Sequence, residues 1–285
     1  MKPIVLNNTN VFPNDNSRYR YNFPGTQKFE NDQIALSNIY IYYSWFNVVQ
    51  ANNNSTFSYI WTDGTGSTTY NITLPDGAYD VATINAYLQF EMLNNGHYLV
   101  DQDGNFVYYL ELVLNVTYYS VEIRAYPLPT SLPSGWTNPA SISFPATAST
   151  PQLIIPATNI QTLLGFDAGT YPSAVQSTTY NILSQNTPQI ATVQSIILTC
   201  SLLNNRLSNP NTILYSFTTG SREFGQLIYF SVPELIFADI DDGFYERFEM
   251  QFLDQNFQPL PIRDTNVVIQ VVIRKRDRFE MKGLK

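Results

Sequence analysis

Val267-Val268-Ile269-Gln270-Val271-Val272-Ile273 runs almost without a polar break. Shortly before it, Phe244-Tyr245-Glu246-Arg247-Phe248-Glu249-Met250-Gln251-Phe252-Leu253 alternates polar and apolar residues. Alternation with period two marks a strand with one face in a core. A near-continuous β-branched run marks a strand covered on both faces. The last strand of the chain is therefore expected in the middle of a sheet. That placement requires non-sequential pairing of the Greek-key kind.

Upstream, strands are expected in series. The strongest covers 34–49, with Ile39, Ile41, Tyr43, Trp45 and Val48 among its bulky residues. Others are expected at 57–62, 69–74, 98–100, 106–116, 118–126, 178–183, 190–203, 212–218 and 227–232, with an edge strand at 141–144. Turn signals such as Asp63-Gly64-Thr65-Gly66 and Pro75-Asp76-Gly77 separate them. The fold class expected is all-β, a sandwich. One segment breaks the pattern. Residues 80–95 carry Val81, Ile84, Leu88 and Met92 at helical spacing and stop at Asn94-Asn95-Gly96, which predicts one main helix packed on a sandwich edge. A short helix over 159–166 ends at Gly165. The proline-rich 127–156 and the stretch 167–189 read as long inserted loops. Residues 1–30, broken by Pro3, Pro13 and Pro24, read as an extended arm. Within it, Tyr19-Arg20-Tyr21-Asn22-Phe23 suits a strand added to a neighbour's sheet edge or an arm folded onto its own body. The expected organisation is an arm over 1–30, a sandwich over 31–273 with an inserted subdomain at 127–189, and a basic tail over 274–285.

The chain has 285 residues, one histidine, one cysteine and 13% charged residues. That is little with which to move protons near neutral pH. The expectation is a structural protein and not an enzyme, with no cofactor and no metal. A surface made polar by amides and hydroxyls suits extensive protein contact, because burying an amide costs far less than burying an ion. Charge is unevenly distributed: residues 274–285 carry a net of +4, residues 1–30 a net of +2, and residues 31–273 a net of −14. Basic ends can reach an acidic neighbour or packaged DNA, or simply remain solvated. Arg18, Arg20, Arg274, Lys275, Arg276 and Arg278 are the interface residues expected on this basis. The start of the chain turns polar after Ile4-Val5-Leu6, unlike a signal peptide, and no apolar run approaches the ~18 residues of a membrane span. A single cysteine excludes an internal disulfide framework; Cys200, in Ile196-Ile197-Leu198-Thr199-Cys200, reads as a small buried hydrophobe. Synthesis inside a cell fits best, and the sequons at Asn7, Asn53, Asn54, Asn71 and Asn115 then reflect composition.

Other motifs are weaker. Asp101-Gln102-Asp103-Gly104-Asn105 has calcium-loop residues, but its glycine comes fourth instead of sixth, so a hairpin turn is expected. Asp239, Asp241 and Asp242 lie close to Glu234 and Glu246, yet nothing sets two of them across a cleft as a glycosidase needs. A loop facing a basic partner or solvent is the expectation. His97 follows the helix stop and, alone, makes neither a triad nor a zinc site. Helix-end packing is its expected role.

Three stretches resemble the single jelly-roll penton (minor capsid) proteins of virophages and polinton-like viruses. They are residues 19–48, with Tyr21-Asn22-Phe23-Pro24 and Ile39-Tyr40-Ile41-Tyr42-Tyr43; residues 74–98, with Pro75-Asp76-Gly77-Ala78-Tyr79; and residues 217–276, with Phe252-Leu253-Asp254-Gln255-Asn256-Phe257-Gln258-Pro259. The resemblance covers about half the chain and lies in strand-and-turn pattern. It implies an eight-stranded jelly-roll β-sandwich, a homopentamer at the five-fold vertex of an icosahedral shell, a major double jelly-roll capsid protein as neighbour, and a place in the virion. It carries over no catalytic residue. Two alternatives stay open: a lectin-like or receptor-binding sandwich stacking sugars on Trp136, and a jelly-roll hydrolase with a carboxylate pair.

Overall fold

The computed structural model describes residues 1–276. The chain divides into two compact units, Met1–Trp45 with Val193–Lys285, and Phe46–Thr192. No helix among the described residues is long and apolar enough to cross a membrane.

The first unit contains eight principal strands: β1 (Lys2–Leu6), β2 (Asp15–Phe29), β3 (Asp32–Tyr42), β4 (Ile196–Cys200), β5 (Ile213–Phe217), β6 (Leu227–Ser231), β7 (Gly243–Leu253) and β8 (Val268–Lys275). One sheet runs β1-β8-β3-β6 and the other β5-β4-β7-β2, with short edge strands Ala238–Asp239 on β3 and Val11–Phe12 on β2. The strands therefore pair antiparallel as β1 with β8, β2 with β7, β3 with β6 and β4 with β5. This nested pairing is that of a jelly roll. The expected mid-sheet position of the last strand is realised, with β8 between β1 and β3. Its inward residues Ile269, Val271 and Ile273 join Leu36, Ile39, Leu198, Phe248 and Phe252 in one core. Its outward residues Val268, Gln270 and Val272 are only half-buried. Cover on both faces was expected; this chain supplies it on one.

Residues 1–30 are not an arm. β1 and β2 are integral to the two sheets. The prolines mislead because each stands where no ladder bond is needed: Pro3 on an edge strand, and Pro24 in the irregularity where β2 shifts register, between Asn22 opposite Arg247 and Gln27 opposite Tyr245. Nor does a tail begin at 274, since β8 continues through Lys275. Residues 277–285 lie outside those described. The strand expected over 34–49 stops at Tyr42, although the Trp45 side chain is still buried in the jelly-roll core.

The second unit replaces the β3–β4 connection and is larger than the insertion expected at 127–189. It begins at Phe46 and includes the main helix. Strand periodicity is the same in either unit, so it gives no sign of which sheet a strand joins. One of its sheets has the order Gly169–Tyr171, Gln152–Ile155, Thr56–Asp63, Gly66–Thr73, and another the order Tyr180–Leu183, Ser120–Ala125, Leu110–Asn115. The 141–144 edge strand does not form. Helix α1 (Val81–Asn94) buries the four residues of the predicted stripe, Val81, Ile84, Leu88 and Met92. Asp80 caps it, its carboxylate accepting the Thr83 N–H at 2.7 Å, a contact whose loss typically costs ~1 kcal/mol. The helix is tied to the strand Leu110–Asn115 by the Asn85 side chain, which accepts the Leu112 N–H at 2.8 Å. The short helix α2 (Ile160–Leu164) ends at Gly165, whose φ of 78° suits glycine.

Candidate interaction surface

Successive residues of a strand point to opposite faces, and the two outer faces of the jelly roll differ. Outward from β1-β8-β3-β6 stand Pro3, Val5, Val268, Val272, Tyr40, Tyr42, Leu227 and Tyr229. Tyr40 and Tyr229 stack at 4.7 Å, and Tyr229 is 50% exposed. Asn38 donates to Gln270 at 2.9 Å, so even the polar pair in these rows is neutral. The first ionised side chain is Arg274, at one end of the sheet. The outer face of the β2/β7 pair is charged instead. Arg18 and Arg20 both donate to Glu249, Arg20 at 2.8 Å, and their guanidinium groups lie 4.4 and 4.2 Å from the centre of the Phe12 ring. Burial pushes the Glu249 carboxyl up, but the hydrogen bonds and charges of the two arginines outweigh it, leaving the pKa below the usual range.

Antiparallel pairing gathers the start of β1 and the end of β8 at one end of the jelly roll, together with the connections 30–31, 201–212 and 232–242. Between β1 and β2 a groove of about 720 Å³ opens there. Ile4, Tyr21, Phe23 and Phe29 line it, and Lys2, Lys28, Arg274 and Lys275 stand around it. Tyr21, Phe23, Phe29 and Phe248 contact one another at centroid distances of 5.4 to 5.7 Å. Beyond β8 and β3 lies the acidic segment Asp239-Ile240-Asp241-Asp242, beside a small depression of about 280 Å³. Leu207 and Ile236 project from the loops past it, 99% and 63% exposed.

The expected interface residues fall into two separate groups. Arg18 and Arg20 are on the polar face. Arg274, Lys275 and Arg276 lie at the end just described and are engaged within the chain. Arg274 donates to Gln33 at 3.0 Å and lies over the Phe237 ring at 3.7 Å. Lys275 donates to Asp32 at 2.7 Å and to the Glu30 carbonyl at 2.9 Å, while Arg276 pairs with Asp239 at 3.2 Å. Arg278 lies outside the described residues. Sequence reading missed the groove, whose signal was the row Tyr21, Phe23, Phe29 assigned to an arm.

The other motifs take structural places. The Asp101 carboxylate accepts the N–H groups of Asp103 and Asn105 at 2.9 and 2.8 Å, which fixes the hairpin turn expected there. Asp239 is bonded by Gln33, and Asp242 accepts the Asn31 N–H at 2.9 Å, so two of the three aspartates hold loops. His97 is 5% exposed, stacks on Trp61 at 4.4 Å, and meets the Tyr59 hydroxyl through Nδ1 at 2.8 Å. Burial pushes its pKa down to about 4. Cys200 is fully buried and its thiol is pushed up to about 12, the opposite of an activated nucleophile. Trp136 is half-buried against the core of the second unit, a poor platform for a sugar.

These features define a single jelly roll with a β-rich unit inserted between its third and fourth strands. The chain is similar in fold to the mavirus penton protein, at 11% sequence identity and a TM-score of 0.44 over 96% of this chain and 98% of that one. It is also similar to a chain of the Sputnik virophage structure solved by electron cryo-microscopy, at 10% identity and a TM-score of 0.39 over the same shares. No protein-family model matches the sequence, and no curated protein does.

Proposed function

We propose that this chain is a structural capsid protein, a penton whose copies form a homopentamer at the five-fold vertices of a virion. The observation that carries this reading is the outer face of β1-β8-β3-β6. Its row of valines and tyrosines holds apolar surface that this chain leaves half-covered, as expected where another protein completes the burial. The nested jelly-roll pairing and the sequence resemblance of residues 19–48 and 217–276 point the same way. The engagement of Arg274, Lys275 and Arg276 within the chain favours protein neighbours, a double jelly-roll capsid protein among them, over packaged DNA. Native mass spectrometry of the purified chain tests the assembly, and co-expression with a double jelly-roll capsid protein tests the shell. Five-copy particles that join shells are expected. A chain that stays monomeric at high concentration and is excluded from shells overturns the reading.

A further inference from the structure

We propose that the edge strand Gly66–Thr73 of the inserted unit takes an added β-strand from a partner protein, an extended segment uncharged along its middle and basic at both ends. The contact requires neither a pentamer nor a shell. Residues 66–73 pair with 56–63 in unbroken register and form the last strand of their sheet. Leu74 donates to the Ser55 carbonyl at 2.8 Å, which sets the phase of the ladder. Antiparallel bonding alternates along a strand, so residues 66, 68, 70 and 72 bond to the neighbouring strand. The N–H and C=O groups of Ser67, Thr69, Asn71 and Thr73 point away from it and have no partner among the described residues. All four residues are exposed, so no other described segment covers the edge.

Edges that stay unpaired are blunted by a proline, a bulge, a charge or shortness. The opposite edge of the same sheet, Gly169–Tyr171, is three residues long and stops at Pro172. Gly66–Thr73 is eight residues long and has none of these devices. A free row of N–H and C=O groups is what an added strand binds. Charge selects the occupant. Residues 46–192 hold nine Asp and Glu against Arg124 alone, a net of −8, and Arg124 is already paired with Glu122 and Glu111. Asp63 and Asp76 stand at the two ends of the edge strand. Their carboxylates accept the N–H groups of Thr65 at 2.8 Å and Gln50 at 2.7 Å, and neither forms an ion pair among the described residues. A second copy would bring the same uncharged edge on an equally acidic unit, which like charge opposes. A strand with a cation at each end meets both carboxylates.

The probe is a peptide of alternating threonine and valine, eight residues long with a lysine at each end, titrated into the full chain. It should bind, and replacing its lysines by glutamates should weaken binding about tenfold. Amide hydrogen exchange followed by NMR reads the edge directly. In the free chain Ser67, Thr69, Asn71 and Thr73 should exchange fast and Thr68, Tyr70 and Ile72 slowly, and the peptide should protect the first four. Thr69→Pro removes one outward N–H, a change an edge strand tolerates, and should also weaken binding about tenfold with an unchanged circular dichroism spectrum. If that variant unfolds, the exchange pattern of the unsubstituted chain decides. No binding, or binding that leaves the four amides exchanging fast, would overturn the proposal. Equal binding of the glutamate peptide would overturn the choice of a basic partner. Protection of the four amides in the chain alone as its concentration rises would make a second copy the occupant and overturn it equally.

Discussion

Acid should loosen the inserted unit through His97. The imidazole is stacked on Trp61 with an interplanar angle of 9°, meets Tyr70 edge-on at 4.6 Å, and lies within hydrogen-bond distance of the Tyr59 hydroxyl through Nδ1. Burial lowers the pKa from 6.5 to about 4, outweighing the charge of Asp63, which pulls the other way. The folded pKa lies below the unfolded one, so the unfolded chain takes up the proton first. The contribution of the neutral ring is complete above about pH 6.5, declines as pH falls, and levels off below about pH 4. At about 1.4 kcal/mol for each pH unit between the two values, the loss is about 3 kcal/mol. Urea unfolding followed by tryptophan fluorescence, from pH 7 to pH 4, measures it. Replacing the ring by His97→Phe removes this titration and leaves the carboxylates in place, so the difference between the two pH profiles isolates the histidine. Parallel profiles would refute the reasoning, because they would mean that the ring ionises as easily in the fold as outside it.

Trp45→Ala and Ile269→Ala should each lower stability by roughly 2–5 kcal/mol, as for large-to-small changes in a core; calorimetry checks this, and wild-type melting would place the residue outside the core. Cys200 should resist a thiol reagent in the native protein and react once urea unfolds the jelly roll, whereas rapid native labelling would contradict its burial. Deleting residues 1–30 should abolish folding instead of trimming an arm, since it removes β1 and β2; a soluble β-rich product by circular dichroism would show the two strands to be dispensable. Glu249→Gln should cost about 1 kcal/mol, a small value because both arginines are partly exposed, and the cost should shrink in salt; a salt-independent loss would argue for packing instead of charge.

Local patterns in this chain were legible, and long-range assignments were not. The helix over 80–95 could be read because its apolar stripe and its Asn94-Asn95-Gly96 stop agree. The mid-sheet position of β8 followed from the valine and isoleucine run alone. The boundary at Trp45 and Phe46 could not be seen, because the chain passes between units through Ser44-Trp45-Phe46-Asn47 with no glycine or proline to mark it. The groove was hidden for a related reason. Polar residues alternating with aromatics look the same in a free arm and in a strand facing a core edge, and only the partner strand β7 decides between them. The arginine pairings were invisible because Arg18 and Glu249 are 231 positions apart. Net charge by segment counted those arginines as reaching outward, when each has a nearby acid or ring.

The nested pairing also orders events during synthesis. Lys2 finds its partner only at Ile273, so the outermost pair of the jelly roll cannot form until the chain through β8 has left the ribosome. At ordinary elongation rates that is a wait of tens of seconds. Residues 46–192, with a hydrophobic core of their own, emerge in the interval and can fold as a unit while β1, β2 and β3 remain unpaired with their later partners. Bare strand edges recruit other chains, so the period before β8 appears is when this protein is most exposed to aggregation. The distance between first and last strand thus makes completion of the jelly roll wait on the emergence of β8, and places any assembly that depends on a paired β1 after that strand has joined the sheet.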